Sequence, residues 1–334
     1  MVLTIALFLL SAAAIYVACE YFVNGIEWLG KRLAFGATAV GSVLAAFGTA
    51  LPESAVTFVA VVFGKTPEQK DLGVGAAMGG PLVLATLAYA VVGVALLANR
   101  RHLHRATTRV RADHKRLRQD QAAFMAVFVV KVGLGLVAFA WKPWLGVLFL
   151  AAYAVYVWRE IRTADTSEEE EELEPLKLRP RDAAPSLGWS LLQSLLALTV
   201  IAIASHVFVA QLEAIGQALQ WPAHLVALLL SPVATELPET MNALIWVRQG
   251  KEWLALANIS GAMMIQATVP SALGLFFTPW RFDAALLASG LATMAAIVFL
   301  WCLFRREEVD ARWLPLASLG YVAFAVFLLV QHLR

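Results

Sequence analysis

The chain has 334 residues, of which 60% are hydrophobic and only 15% charged, with a mean hydropathy of +0.71 and a formal net charge of +2. Soluble domains average about a quarter charged residues, so this composition excludes an ordinary soluble protein and implies one embedded in a bilayer. The basic residues flank apolar segments, where they set topology, and nothing in their placement suggests a nucleic-acid surface.

Ten apolar segments are long enough to be membrane spans: 2–24, 33–64, 72–98, 120–140, 143–160, 186–212, 222–247, 252–277, 282–304 and 313–333. The first lacks a basic flank and its apolar run continues past "SAAA", so it reads as an uncleaved helix and not as a signal peptide. It contains Cys19 and Glu20. With Cys302, Cys19 forms a pair of scattered apolar-segment cysteines that read as packing residues. The second span contains "AFGTALPES", where Glu53 directly follows Pro52. After the third span comes a basic stretch from Asn99, expected to rest on anionic headgroups. Lys131 falls inside the fourth span and is expected to snorkel or to pair with a carboxylate.

A polar stretch from Thr163 divides the chain. Its glutamate run 168–172 lacks the glycine and spaced Asp/Asn of an ordered calcium loop, and reads as a solvated linker. The predicted organisation is an N-terminal five-helix half (1–160), an acidic linker (161–185) and a C-terminal five-helix half (186–334). His206 lies in the sixth span. The seventh contains "PVATELPET", with Glu236 and Glu239. The loops after odd-numbered spans hold 19 of the 26 Lys and Arg residues, which predicts that these loops, the linker included, are cytoplasmic and that both termini lie outside a plasma membrane.

The two halves repeat. Shifted by 186 positions, residues 18–65 align with 204–251 without a gap, and Thr49, Leu51, Pro52 and Glu53 meet Thr235, Leu237, Pro238 and Glu239. Five spans per half force the halves to enter the membrane in opposite senses. Inverted repeats of this kind form midplane ion sites at discontinuous helices. The prolines suggest why. Each lacks an N–H and leaves a helical carbonyl, of Gly48 or Ala234, without its donor. Thr and Glu four residues apart share a helix face, so each copy offers a hydroxyl, a carboxylate and backbone oxygens together. Brought together, the copies form an all-oxygen cage suited to a hard cation such as Ca²⁺. The bland alternative is a kinked helix whose Glu faces a neighbour or the interface.

"GTALPES" and "ATELPET" resemble the paired signature of the cation/calcium exchanger superfamily, and the approach 21–53 matches that family over the first two helices. The resemblance implies an all-α polytopic fold of about ten helices in two inverted five-helix repeats, and antiport of Ca²⁺ against Na⁺ or H⁺, with no cofactor. It implies that Thr49, Glu53, Thr235 and Glu239 are the central calcium ligands, and that Ala46 and Pro232 give carbonyl oxygens to flanking sodium sites. The next helix of each half departs from the family pattern. In "GAAMGGPLVL" and "ANISGAMMIQ" the family's sodium-ligand serines fall on Gly80 and Ala262, and its acidic or amide positions on Leu84 and Gln266. Glu236 is an added carboxylate, three residues before Glu239, that is expected to supply charge beside Gln266 or to carry a proton. Glu20 and His206 occupy equivalent positions in the helices the family slides past its core. A proton role there competes with a single structural hydrogen bond.

The reading is a secondary antiporter of inorganic cations with Ca²⁺ as one substrate, working in the lipid bilayer. The other readings are a proton-coupled exchanger of another cation, a gated cation channel and, least favoured, an intramembrane hydrolase. No nucleophile constellation, H-E-x-x-H, CxxC or phosphate-binding loop supports an enzyme.

Overall fold

Hydrocarbon cannot bond to backbone N–H and C=O groups, so an apolar chain of this length must satisfy them within its own helices. The computed structural model describes residues 1–32, 37–100, 107–163, 173–306 and 308–332, without the side chains of 37–49, 160–163, Val233, Ala234, Leu237, Pro238 and Asn242. In the described residues the fold is all-helical, with one isolated β-bridge, Arg109 to Asp310, joining the loops that follow α3 and α10.

The helices are α1 (Val2–Arg32), α2 (Ala37–Phe63), α3 (Pro67–Ala98), α4 (His114–Leu136), α5 (Gly146–Thr163), α6 (Leu187–Leu219), α7 (Ala223–Thr235), α8 (Leu237–Arg248), α9 (Glu252–Phe277), α10 (Ala284–Leu303) and α11 (Ser318–His332). Each expected span coincides with one of these, except that α7 and α8 divide the seventh between them. Side-chain caps fix several starts. Thr66 accepts from the Gln69 N–H, Asp113 from Arg116 and Asp283 from Leu286, each closing an otherwise unpaired first-turn donor.

Burial sorts the helices into a core and a lipid-facing shell. The most apolar stretch of α3 is 72% buried and that of α9 is 83% buried, against 28% for α1 and 17% for α11. The exposed Leu, Val and Phe side chains of α1, α5 and α11 are suited to acyl chains, so their exposure carries no penalty in a bilayer.

The packing follows the repeat. The first helices of the two halves, α1 and α6, lie along each other. The second helix of the first half, α2, packs on the third of the other half, α9. The reciprocal pair is α3 on α7, and α4 packs on α10. A pseudo-two-fold axis exchanges these pairs, as inverted repeats require. Glycine sets the closeness of α3 to α7. A Cβ on Gly79 would lie 2.6 Å from Pro232 Cγ, so only a bare backbone lets the two helices meet there.

Two departures from straight helix matter for function. First, the repeat is broken asymmetrically. α2 runs through Pro52 without interruption, whereas the second copy stops at Thr235 and restarts at Leu237. Glu236 is the hinge, at φ −96° and ψ −3°, and its N–H bonds to the Pro232 carbonyl at 2.9 Å. Pro238 then sits in the first turn of α8, where a missing N–H costs nothing. Second, α3 contains a π-helical turn at Leu84–Ala88, a few residues after Pro81.

The end of the linker, after the glutamate run, is anchored to the membrane helices. The Glu174 carbonyl accepts from Trp28 Nε1 at 2.9 Å, the Lys177 N–H donates to Asn24 Oδ1 at 3.0 Å, and the Leu178 N–H donates to Gln193 Oε1 at 2.8 Å. Residues 173–185 therefore clip α1 to α6. The glutamate run 168–172 lies outside the described residues.

Candidate functional site

The site is assembled where α2, α7, α8, α3 and α9 meet. Glu53 on α2 is 1% exposed, Glu236 1% and Glu239 0%, so three carboxylates are withdrawn from water in the centre of an apolar protein. Burial on this scale costs several kcal/mol per ionised group unless something compensates.

The compensation is partial and specific. Glu53 Oε2 accepts a hydrogen bond from the Thr235 hydroxyl across the interface between the two halves, and the Ser231 hydroxyl lies 3.4 Å from the same oxygen. Glu236 Oε1 accepts from Gln266 Nε2 of α9 at 2.6 Å. What remains is a set of acceptors with no donor in the structure: Glu53 Oε1, Glu236 Oε2, both oxygens of Glu239 and Gln266 Oε1, all buried. Orphaned acceptors are rare in folded proteins, and a group of them, all oxygen and mostly anionic, is the donor set a hard cation takes.

Several expectations are met differently. Thr235 and Glu239 do not share one helix face, because the break puts Thr235 at the end of α7 and Glu239 in the first turn of α8, with Glu236 between. Helix spacing failed here because it presumes an unbroken helix. Among the described residues, no three acidic, histidine or cysteine side chains converge closely enough to hold one metal ion by themselves. Threonine, serine and glutamine oxygens surround the carboxylates instead.

Thr49 and Ala46 are helical in backbone, and their side chains lie outside the described residues. Pro232 is in place, with its carbonyl engaged by the Glu236 N–H. Gln266 is fully buried and meets Glu236 directly. Gly80 explains why it can. A Cβ there would stand 2.5 Å from Gln266 Oε1 and 3.1 Å from Glu236 Oε1. The space left by the missing side chain at 80 is filled by the Gln266–Glu236 pair.

The weaker candidates make local contacts. His206 Nδ1 sits 3.0 Å from the Ala202 carbonyl at an exposed position, and Glu20 pairs with Lys177 at 3.3 Å. Ser231 was missed in sequence reading, although its spacing of four from Thr235 was the available signal. Lys131 neither snorkels nor forms an ion pair. It is 0% exposed, and its ammonium donates to the Ala77 carbonyl at 2.7 Å, with the Gln266 carbonyl at 3.5 Å.

Residues 3–162 and 189–332 match the family described as "Sodium/calcium exchanger protein". The chain belongs to that family. It is therefore a cation/calcium antiporter of the membrane and not an enzyme, and the channel and hydrolase readings fall with that assignment. The exchanger is 23% identical over 340 residues to the inner membrane protein YrbG of Escherichia coli, covering 99% of this chain and 98% of that protein. Its fold resembles the H⁺/Ca²⁺ exchanger CAX, with TM-score 0.72 at 19% identity over 98% of this chain and 82% of that one. It also resembles the sodium-calcium exchanger NCX_Mj, with TM-score 0.57 at 18% identity over 98% of each. The inverted-repeat architecture is common to this chain and those two solved exchangers.

Proposed function

We propose that the exchanger moves Ca²⁺ against protons, with Na⁺ as the competing counter-ion, at a single midplane site built by Glu53, Thr235, Glu236, Glu239 and Gln266, with Thr49 and the backbone oxygens of Ala46 and Pro232 completing it. The observation that carries this reading is the set of buried carboxylate oxygens without donors, drawn from both halves of an inverted repeat. Alternating access would expose the set to each side in turn, and competition for the same oxygens would couple the ions.

Protons are favoured over Na⁺ by one feature. Where the family places a sodium-ligand hydroxyl, this chain has Gly80, and the space is taken by an amide–carboxylate pair, Gln266 with Glu236. That exchange removes a neutral Na⁺ ligand and adds a group able to carry H⁺. The halves 1–160 and 186–334 are the two moving units in this reading, joined by the linker 161–185. The Lys/Arg asymmetry supports a cytoplasmic linker and both termini outside the plasma membrane.

The test is ⁴⁵Ca²⁺ flux in proteoliposomes with Na⁺, K⁺ and pH gradients imposed separately. Flux should follow the pH gradient more steeply than the Na⁺ gradient, and Glu236→Gln should flatten the pH dependence while leaving Ca²⁺ binding measurable. Strict Na⁺ dependence with a flat pH profile in both proteins would return the protein to ordinary sodium/calcium exchange.

A further inference from the structure

The segment 173–185 is bonded to the membrane helices more closely than a connection between two halves requires. Leu176 is 0% exposed, and the two amide side chains that meet the segment, Asn24 of α1 and Gln193 of α6, are 4% and 1% exposed. Gln193 Nε2 donates to Asn24 Oδ1 at 2.9 Å and to the Tyr21 carbonyl at 2.8 Å, joining the first half to the second directly. The segment then closes over this pair. The Lys177 N–H donates to Asn24 Oδ1 at 3.0 Å and the Leu178 N–H to Gln193 Oε1 at 2.8 Å. The Glu174 carbonyl accepts from Trp28 Nε1 at 2.9 Å and from Asn24 Nδ2 at 3.3 Å. Arg32 Nε donates to the Pro185 carbonyl at 2.8 Å, and the Arg179 guanidinium lies 4.1 Å over the Trp189 ring in the first turn of α6.

These bonds sit on the boundary between the halves, since α1 belongs to the first and α6 to the second. Deeper in the membrane the same two helices share an apolar cluster that includes Ile15, Cys19, Ile201 and Phe208. Apolar contact is non-directional and tolerates a small rotation or slide, whereas hydrogen bonds weaken steeply with distance and angle. The site is closed to both faces here, with Glu53, Glu236 and Glu239 no more than 1% exposed. At the opposite face the halves are tied differently, by Gln69 Nε2 of α3 donating to Glu213 Oε2 of α6 at 2.8 Å. Rocking the halves open toward the face that bears 173–185 parts the ends of α1 and α6 there and breaks the bonds of the segment. Opening toward the other face leaves them intact.

We infer that residues 173–185 are a latch that must release before the site opens to their own face of the membrane, and that the latch sets the balance between the two open states. This rests on the exchange by rocking halves proposed above. The bonds are made by one short stretch of backbone, so they release together, and whatever pulls on the linker acts on transport through them. Trp28 and Leu176 are positioning residues in this scheme, acting on the equilibrium between states and not on the ion.

The test measures the half-saturating Ca²⁺ concentration for exchange at each face, in proteoliposomes of known orientation. The ratio of the two follows the ratio of the open populations. A hydrogen bond exchanged for water is worth a factor of about two to ten. Trp28→Phe, which keeps the ring and loses the donor, should shift the ratio about threefold toward tighter apparent binding at the latch face. Leu176→Ser, which lies outside the spans and loses the buried anchor, should shift it about tenfold in the same sense. A merely structural segment would lower the amount of active protein and leave the ratio unchanged, and an unchanged or oppositely shifted ratio would overturn the inference. Hydrogen exchange of the wild type decides the matter whether or not either variant folds. The Lys177 and Leu178 amides should exchange faster with saturating Ca²⁺ at the latch face alone than with Ca²⁺ at the opposite face alone, and equal protection would overturn the inference. Absence of any Ca²⁺ movement in the wild type would instead reject the exchange reading on which it rests.

Discussion

At the residue scale, ion binding depends on which buried oxygens already have donors and which do not. Glu239 has two orphaned oxygens and Glu53 one. Replacing either carboxylate by its amide keeps the shape but removes the charge that a cation needs. Glu53→Gln and Glu239→Gln should each lower exchange by about a hundredfold or more, the effect of a charged contact worth about 3 kcal/mol, with the protein still folded by gel filtration. Near-normal flux in either purified variant would reject a shared site. Thr235 and Ser231 make a graded pair on Glu53 Oε2. Thr235→Val should weaken Ca²⁺ binding more than Ser231→Ala, whose hydroxyl is 3.4 Å away. Gly80 offers a steric test. Gly80→Ala would push a methyl against Gln266 and Glu236, and should lower thermal stability by about 1–3 kcal/mol and disturb ion selectivity in flux assays. An unchanged melting temperature and selectivity would show that the pair does not depend on that space.

The elements explain why parts of the site were legible and others not. The spans follow from apolar run length alone, because hydrocarbon permits only helix, and the structure places a helix or helix pair at each. The doubled T-x-L-P-E told where the carboxylates lie in the repeat. The break at Glu236 was not readable, since identical Leu-Pro-Glu sequences produce a continuous helix in α2 and an interrupted one at α7–α8. Tertiary contact decides between them. Lys131 was misjudged for the same reason, because its partners are carbonyls of α3 and α9, far away in sequence. The start of α10 carries its own prediction. Asp283 caps it through the Leu286 N–H at 2.9 Å and accepts from His224 Nε2 of α7 at 2.8 Å. The His224 contact and the capping N–H hold its carboxyl below the usual range. A depressed carboxyl pKa stabilises the fold at pH above the ordinary aspartate value of about 4, and the contribution is lost as pH falls through the lower folded value. Asp283→Ala should cost about 1 kcal/mol at neutral pH, measured by thermal unfolding in detergent, and the difference from wild type should shrink in acid. A gap that widened in acid would contradict this.

For the whole molecule, inverted symmetry brings two copies of one short motif together in the buried interior and, in the proposed exchange, gives two halves that rock about them. The reciprocal packing of α2 on α9 and α3 on α7 embodies this, with the 173–185 segment clipping α1 to α6 at one membrane face. The charge asymmetry predicts which face. Cysteines introduced at 107–112 and 176–182 should resist an impermeant thiol reagent in intact cells and react after permeabilisation. Labelling in sealed cells would reverse the orientation. In the proposed exchange, carboxylates from both halves hold one Ca²⁺ in competition with its counter-ion. The most direct measurement is ⁴⁵Ca²⁺ binding to the purified exchanger at graded pH and Na⁺, in wild type, Glu53→Gln and Glu239→Gln. The expected result is one saturable site per chain in the wild type, displaced by protons more effectively than by Na⁺, and lost in both variants. Full binding in either variant, or wild-type binding indifferent to both competitors, would contradict it.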